Sequence, residues 1–596
     1  MTNDKSRTFC VWEKALLFVV VFIFAVGTSI LSWDNWRAEN LVPRFHWPDE
    51  TSNAYFADRI AHNESLAIPE SRNTVAGNLI HPRTVNVRSD GALVSGSYLG
   101  LPLWYGFIGR VMGTRTMLFM TPLLAALGLW ALAMIVRRFF GTLTALLATA
   151  LLALHPSVWF FTATAFLPNV PFVALLLMGF AVMLHHSSSR GEAEGSHINV
   201  RLPRCVRFLA SLGMTRRGIG MTRRGITRWF VGGLLLGFAL TLRTHELLWV
   251  GALVIGVAVW QRPGWRAIAS GVFGAALPFI PIFILNAQLY GNPFTTGYAL
   301  LNEGGALPTE FIGAAAAWLP ASFRALIPSE AMSILAGLFA PFGWHPRAAL
   351  IRFWTYGIVP YPWFIALAAV GLAVGWRAGR RIAVTVTVAL IGWLVLYYGS
   401  WTIADPLVRQ LNILTISYVR YWLPITVALA FWAAVGFQAL LNFSPRRSRL
   451  VIAAVALLVI AVSSAFCVLG DPVEGLQRQR QALFEHRERA QAVIKTTESD
   501  AVIVSHRFDK AFFPERAVIH APVDPAIDAD FLARLRRLID VAPVYWYATG
   551  DVAASGFILA DTGRAPFGEK LYRVCPAVQL RTLTPTICEF PTQATK

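Results

Sequence analysis

The sequence predicts an all-helical, many-span membrane domain followed by a small α/β domain outside the bilayer. Three observations carry that reading. Of 596 residues, 56% are hydrophobic and only 14% are charged, whereas a soluble chain carries nearer a quarter charged residues. Charges also gather in short blocks. Ala15–Trp33, Thr116–Val136, Phe353–Trp376, Ile382–Ala404 and Leu450–Gly470 contain no Asp, Glu, Lys or Arg. Each can cross a hydrocarbon core, which takes about 20 helical residues. Finally, period-2 alternation is absent, which excludes a transmembrane barrel.

The order of spans follows from the basic clusters. Lys5, Arg7 and Lys14 precede the first span, and no small-residue cleavage site follows it, so it reads as a retained anchor. Arg137–Arg138, the block Arg190–Arg228, Arg262–Arg266, Arg377–Arg381 and Arg446–Arg449 lie next to later spans. All fall on one side, as the positive-inside rule requires, if crossings run near 15–33, 116–136, 140–156, 169–186, 229–243, 245–260, 267–286, 354–375, 382–400, 420–441 and 450–470. That gives about eleven crossings, a cytoplasmic N-terminus and an extracytoplasmic C-terminus. The apolar stretch Leu99–Met112 stays outside as an interfacial or re-entrant helix. The net charge of +19 is then a property of the inner membrane face and points to membrane lipids, with no nucleic acid partner.

The membrane domain therefore occupies 1–470. It has a first extracytoplasmic loop at 34–115, a basic cytoplasmic insertion at 187–228 and a long extracytoplasmic loop at 287–353. The insertion holds a tandem repeat, Gly213–Ile219 and Gly220–Ile226, which reads as low-complexity sequence tolerated in a solvated loop. The α/β domain is 471–596. Val473–Lys495 and Asp528–Ile539 read as helices there, and Ala501–Ser505, Val544–Tyr547 and Gly556–Ala560 as strands. Cys575 and Cys588 share this oxidising side and are expected to form a structural disulfide.

The most informative chemistry follows the first span: His46-Trp47-Pro48-Asp49-Glu50-Thr51, with Tyr55 and Ala57 downstream. Adjacent carboxylates behind a proline can form an active centre at the membrane surface. They can equally be helix-capping acids, with Asp49 as N-cap and Glu50 in the first turn. Further along come His81-Pro82-Arg83 and Phe166-Leu167-Pro168-Asn169-Val170-Pro171. Arg243-Thr244-His245-Glu246 sits in a tight hairpin between spans, and Tyr290-Gly291-Asn292-Pro293 with Gly297-Tyr298 opens the long loop. Arg420-Tyr421-Trp422-Leu423-Pro424 begins a late span, and Asp509-Lys510 with Phe513-Pro514-Glu515-Arg516 lies in the outer domain. There is no Walker loop, no His-Glu-x-x-His and no cysteine pair at zinc spacing.

The order and common sidedness of these motifs resemble the C-superfamily glycosyltransferases (GT-C), which include protein mannosyltransferases and the lipid A aminoarabinose transferases. The resemblance spans nearly the whole chain outside 187–228. It implies transfer of a sugar from a polyprenyl-phosphate carrier to an extracytoplasmic glycan, lipid or protein acceptor, with inversion. It also implies Asp49 as general base, with Glu50 orienting it or helping to hold a metal. Arg243 and Arg420, at the outer ends of helices, are expected at the donor phosphate, with Arg83 and His81 as further candidates. For each, a structural ion pair or solvation is the competing reading, Arg243 with Glu246 in particular. Tyr55, Asn169, Tyr298 and Glu246 are expected around sugar or acceptor. One departure matters. Many relatives carry an acid in the second outer loop, where this chain has Asn169. An amide is a poor ligand for a hard divalent ion, so a metal would rest on Asp49 and Glu50 alone.

The rival class is a transporter or lipid flippase, which would place ionisable residues in mid-span and repeat its halves. Here the charges crowd the ends of spans and the halves show no similarity.

Overall fold

The computed structural model describes residues 10–38, 42–185, 223–298, 343–401, 417–445, 447–471, 475–522, 528–550, 552, 556–562 and 565–576. Most of the basic insertion, most of the long loop, and Cys588 lie outside the described residues.

The N-terminal part is a bundle of apolar helices. The first is α1 (Val11–Thr28), followed by the short α2 (Ile30–Arg37). Against an expectation of eleven crossings, eight described helices are long and apolar enough to span a bilayer, or ten when each of two bent pairs counts as one span. The helix predicted near 169–186 is Asn169–Leu184, apolar but 16 residues long. Both bends fall at prolines, which cannot donate to the preceding turn and so start a new helix. Pro156 opens the second half of one pair at 59° to the first, and Pro362 does so at 104° in the other.

Close packing in the bundle comes from glycine. A Cβ on Gly371 would collide with the backbone carbonyl of Trp432, so the two helices carrying them meet backbone to backbone.

The segment after α2 folds as α3 (Pro48–Ala61), α4 (Asn73–Ala76), an antiparallel hairpin of β1 (Val85–Val87) and β2 (Leu93–Ser95), and α5 (Gly100–Met112). The stretch expected as an interfacial helix is this α5. Membrane helices then follow as α6 (Met120–Phe140), α7 (Thr142–Ala153), α8 (Pro156–Ala163), α9 (Asn169–Leu184), α10 (Arg223–Leu242), α11 (Leu247–Gln261), α12 (Trp265–Ala276) and α13 (Phe279–Tyr290). After the long loop come α14 (Pro346–Arg352), α15 (Pro362–Arg377), α16 (Arg381–Gly399), α17 (Leu423–Phe443) and α18 (Arg449–Leu469).

The C-terminal part holds α19 (Leu476–Thr496), β3 (Val502–Ser505), α20 (Asp509–Phe512), β4 (Ala517–His520), α21 (Ala529–Ile539), β5 (Val544–Ala548), β6 (Phe557–Asp561) and β7 (Lys570–Pro576). The strands form one sheet in the order β4-β3-β5-β7-β6, with β3 parallel to β4 and β5, and β7 antiparallel to β5 and β6. Two strands, β4 and β7, are additional to those read from the sequence. Both are short or interrupted by charge, so neither shows a clear apolar run. Asp528 caps α21, its carboxylate accepting from the Phe531 amide. Cys575 on β7 is disulfide-bonded, and its expected partner Cys588 is outside the described residues.

The segment between α2 and α6 is part of this C-terminal core. Ala76 and Ile80 pack with Phe531, Leu535 and Leu538 on one sheet face, and His81 bridges to Ile519 beside edge strand β4.

Candidate functional site

Helix α3 starts two residues earlier than the capping reading supposes. Pro48 occupies its first position and Trp47 is the N-cap, so Asp49 is not the cap and its carboxylate is released for other work. The helix start is pinned by Thr84, whose hydroxyl donates to the Pro48 carbonyl at 2.9 Å while its own carbonyl accepts from Ser52.

Asp49 reaches across to Arg420. Arg420 Nη2 donates to Asp49 Oδ2 at 2.6 Å, although the two residues are 371 apart in the chain. Arg420 lies in the 3-10 turn Ser417–Trp422 that leads into α17, and it is 5% exposed. Its Nη2 is also 3.3 Å from the Tyr421 hydroxyl. Its Nε and Nη1 are buried with no hydrogen-bond partner among the described residues. Such orphaned donors are rare in native proteins and costly to leave unpaired. Asn169, at the start of α9, donates to the Arg420 carbonyl at 3.3 Å and leaves its own buried Oδ1 unpartnered. Two buried donors and one buried acceptor without partners among the described residues thus belong to two residues joined by a hydrogen bond.

Glu50 departs from expectation. Its carboxylate does not share a site with Asp49 but folds back to accept from the Trp47 amide at 3.3 Å. It is 3% exposed and faces a void of about 10 Å³ shared with Ser32, Asn35 and His46. Burial pushes its pKa up to about 7, against the backbone N–H groups of Trp47 and Phe166. Among the described residues no three His, Cys, Asp or Glu side chains converge as a metal site, and a hard cation would find only Asp49 here.

Arg243 resolves toward the ion pair. Its guanidinium binds Glu246 at 2.6 Å, and Glu246, fully buried, also accepts from Trp249 and from the Tyr398 hydroxyl. His245 is held by the Tyr98 hydroxyl at 2.8 Å and by Glu246 at 2.9 Å. Arg243 is still a neighbour of the site, because Tyr421 is bracketed by both guanidiniums, 4.8 Å from Arg243 and 5.2 Å from Arg420. Its charge is already neutralised, so it is a poorer phosphate ligand than expected, and Glu246 is committed to it rather than to a sugar. Tyr298 stands beside Tyr98 with ring centres 4.9 Å apart. Burial first, and then the nearby Asp49, raise the pKa of its hydroxyl, so it remains a neutral donor.

Three expected site residues lie elsewhere. Arg83 forks onto Asp509, with Nη2 at 2.7 Å from Oδ1, and also donates to the Arg507 carbonyl. Burial opposes ionisation of Asp509, but Arg83 outweighs it and holds the carboxyl below its usual range. His81 turns its Nδ1 to the Pro82 carbonyl in the same seam. Tyr55 packs edge-on to Phe513, 4.7 Å between centres, with Arg59 above its ring. All three join the segment between α2 and α6 to the C-terminal part rather than lining the Asp49–Arg420 centre. Tyr421 and Tyr98 are the residues that sequence reasoning missed. Tyr421 stood inside the quoted Arg-Tyr-Trp-Leu-Pro motif, while Tyr98 carries no local signal.

A long apolar groove runs between α9, α11, α16 and α17, with a volume of about 830 Å³. Val173, Trp249, Leu394 and Pro424 line its end nearer the site. Pro424 is four residues from Arg420, and Trp249 is bonded to Glu246.

No family model and no curated protein matches this chain. Among solved structures it is similar to the oligosaccharyltransferase of Archaeoglobus fulgidus crystallised with zinc and sulfate, with 12% identity over 88% of this chain and 67% of that one and a TM-score of 0.47. It is similar to the same organism's AglB in complex with an inhibitory peptide and a dolichol-phosphate, at 12% identity over 90% and 70% with a TM-score of 0.48. ArnT from Cupriavidus metallidurans bound to undecaprenyl phosphate gives 13% identity over 94% and 98%, with a TM-score of 0.47. These are the kind of enzyme to which the sequence resemblance points.

Proposed function

We propose that this protein is a membrane glycosyltransferase that takes a sugar from a polyprenyl-phosphate carrier and passes it to an acceptor hydroxyl on the extracytoplasmic side. One observation carries the reading: a buried arginine, paired to Asp49, keeps two N–H groups unsatisfied among the described residues, one helical turn from Pro424 in the wall of an apolar groove. A lipid phosphate supplies the missing acceptors, and its hydrocarbon tail matches the groove. Arg420 binds the phosphate and stabilises the negative charge that grows on it as the sugar leaves. Asp49, held on the same guanidinium, takes the proton from the acceptor hydroxyl as that oxygen attacks the anomeric carbon. The C–O bond to phosphate breaks from the opposite face, so configuration inverts. Asn169 and the Tyr298 hydroxyl supply hydrogen bonds to the sugar or acceptor. The topology expected from the basic clusters puts this centre at the outer leaflet.

The proposal is tested by binding of undecaprenyl phosphate to the purified protein in detergent. Arg420→Gln should lower retention at least tenfold, Arg420→Lys should lower it less, and both should fold. Equal retention by wild type and Arg420→Gln would remove the basis of the reading.

A further inference from the structure

The groove has a second end, and it too carries arginine. Helices α6 and α9 reach it with Arg138 and Leu184, and α16 begins there next to Arg380. From Ile382 to Leu394 the groove follows α16 for roughly 18 Å at 1.5 Å per residue. That exceeds the ~15 Å half-thickness of a hydrocarbon core, the depth filled by one leaflet's acyl chain. The groove is open to the bilayer along α16, where the lining residues Ile382 and Val386 are 82% and 53% exposed.

Both arginines are half-buried in the groove wall. Arg138 donates through Nη1 to the Leu184 carbonyl, and its guanidinium lies 5.4 Å from the Trp260 ring centre. Arg380 donates through Nη1 to the Phe139 carbonyl at 2.9 Å and stacks 4.3 Å from the Phe140 ring centre. Neither has a carboxylate partner among the described residues. Each is therefore oriented by a carbonyl and an aromatic face while its charge stays uncompensated beside an apolar channel. Glu246 answers Arg243 and Asp49 answers Arg420 at the other end, so the absence of any such answer here sets this end apart.

We propose that this end of the groove is a binding site for an anionic glycerophospholipid, with the headgroup phosphate between Arg138 and Arg380 and one acyl chain lying up the groove. Arginine suits a phosphate because its planar fork matches two oxygens, and basic pockets between membrane helices favour anionic lipid heads. The choice of leaflet, the cytoplasmic one, rests on the topology of the proposed function; the binding chemistry does not. The lipid and the donor's tail then occupy one channel from opposite ends and compete for its middle.

The test is native mass spectrometry of the purified full-length protein with dioleoyl phosphatidylglycerol, dioleoyl phosphatidylcholine or undecaprenyl phosphate. Phosphatidylglycerol should be retained at least tenfold better than phosphatidylcholine, and millimolar inorganic phosphate should not displace it. The double variant Arg138→Gln/Arg380→Gln should lose phosphatidylglycerol at least tenfold more than it loses undecaprenyl phosphate, and Arg420→Gln should show the reverse order. Should the double variant fail to fold, Arg138→Lys/Arg380→Lys keeps the charge and should keep the preference, while Ala383→Trp, which fills the groove wall, should abolish it. Equal retention of the two phospholipids, or unchanged phosphatidylglycerol binding after loss of both arginines, overturns the site. Because no sugar donor enters this measurement, failure of glycosyl transfer leaves its outcome readable.

Discussion

Replacing Asp49 by Asn removes a charge and almost nothing else. The amide oxygen still accepts the Arg420 Nη2 hydrogen bond now made at 2.6 Å, and the side chain is 15% exposed. Removing one partner of a fully buried pair costs about 3–5 kcal/mol. With a hydrogen bond retained and water at one edge, the cost to folding here should be on the order of 1–2 kcal/mol. The cost to chemistry is larger. A positioned general base contributes about 10²–10⁴-fold, or roughly 3–5 kcal/mol at 1.36 kcal/mol per decade. Binding should move the other way, since Asp49 is an anion competing for the guanidinium that would hold the lipid phosphate. Release of undecaprenyl phosphate from its glycosylated form, followed in proteoliposomes with native membrane acceptors, should fall at least a hundredfold in Asp49→Asn. Retention of undecaprenyl phosphate should be unchanged or tighter. Turnover within tenfold of wild type would refute the base assignment, and a parallel collapse of binding would reduce Asp49 to a structural partner of Arg420.

Other outcomes follow from the same geometry. Glu246→Gln leaves Arg243 buried without its counter-charge and should cost about 3–5 kcal/mol, seen as a lower midpoint of thermal unfolding in detergent. Glu50 has a folded-state pKa raised from 4.5 to about 7, so the folded state keeps its proton while the unfolded chain loses it. Stability should therefore fall as pH rises from about 4.5 to 7, by roughly 3 kcal/mol at 1.36 kcal/mol per unit. Thermal unfolding of Glu50→Gln should lack that component of the pH dependence and exceed wild type at pH 8; superimposable profiles would count against it. Asp509→Asn should loosen the Arg83 clamp, read as faster hydrogen exchange across 502–520 with little change around Glu246.

The membrane fold was legible because span length and charge asymmetry are local properties of the chain. Cα-scale detail was not. The bends at Pro156 and Pro362 were invisible to a hydropathy reading, since both halves of each pair are apolar. In the outer part, Ala501–Ser505 and Val544–Tyr547 stood out as apolar strands, whereas Lys570–Pro576 alternates charge with apolar residues and is held by partners on both sides. Asp49 and Arg420 were found as motif residues, and only the fold joins them. Arg243 looked equivalent to Arg420 in sequence, each a basic residue at the end of a helix, and Arg83 was a further candidate in a loop. What separates them is a carboxylate arriving from elsewhere, Asp509 for one and Glu246 for the other. Glu246 was three residues away and therefore visible; Asp509 is 426 residues away and was not.

The distance between Asp49 and Arg420 along the chain also sets a timetable. Ribosomes add about 5–20 residues per second, so the 371 residues between them take roughly 20–75 s to synthesise. Throughout that interval the acid is already made and its arginine does not yet exist. A nascent chain halted before the late helices therefore carries Asp49 without the guanidinium that pairs with it.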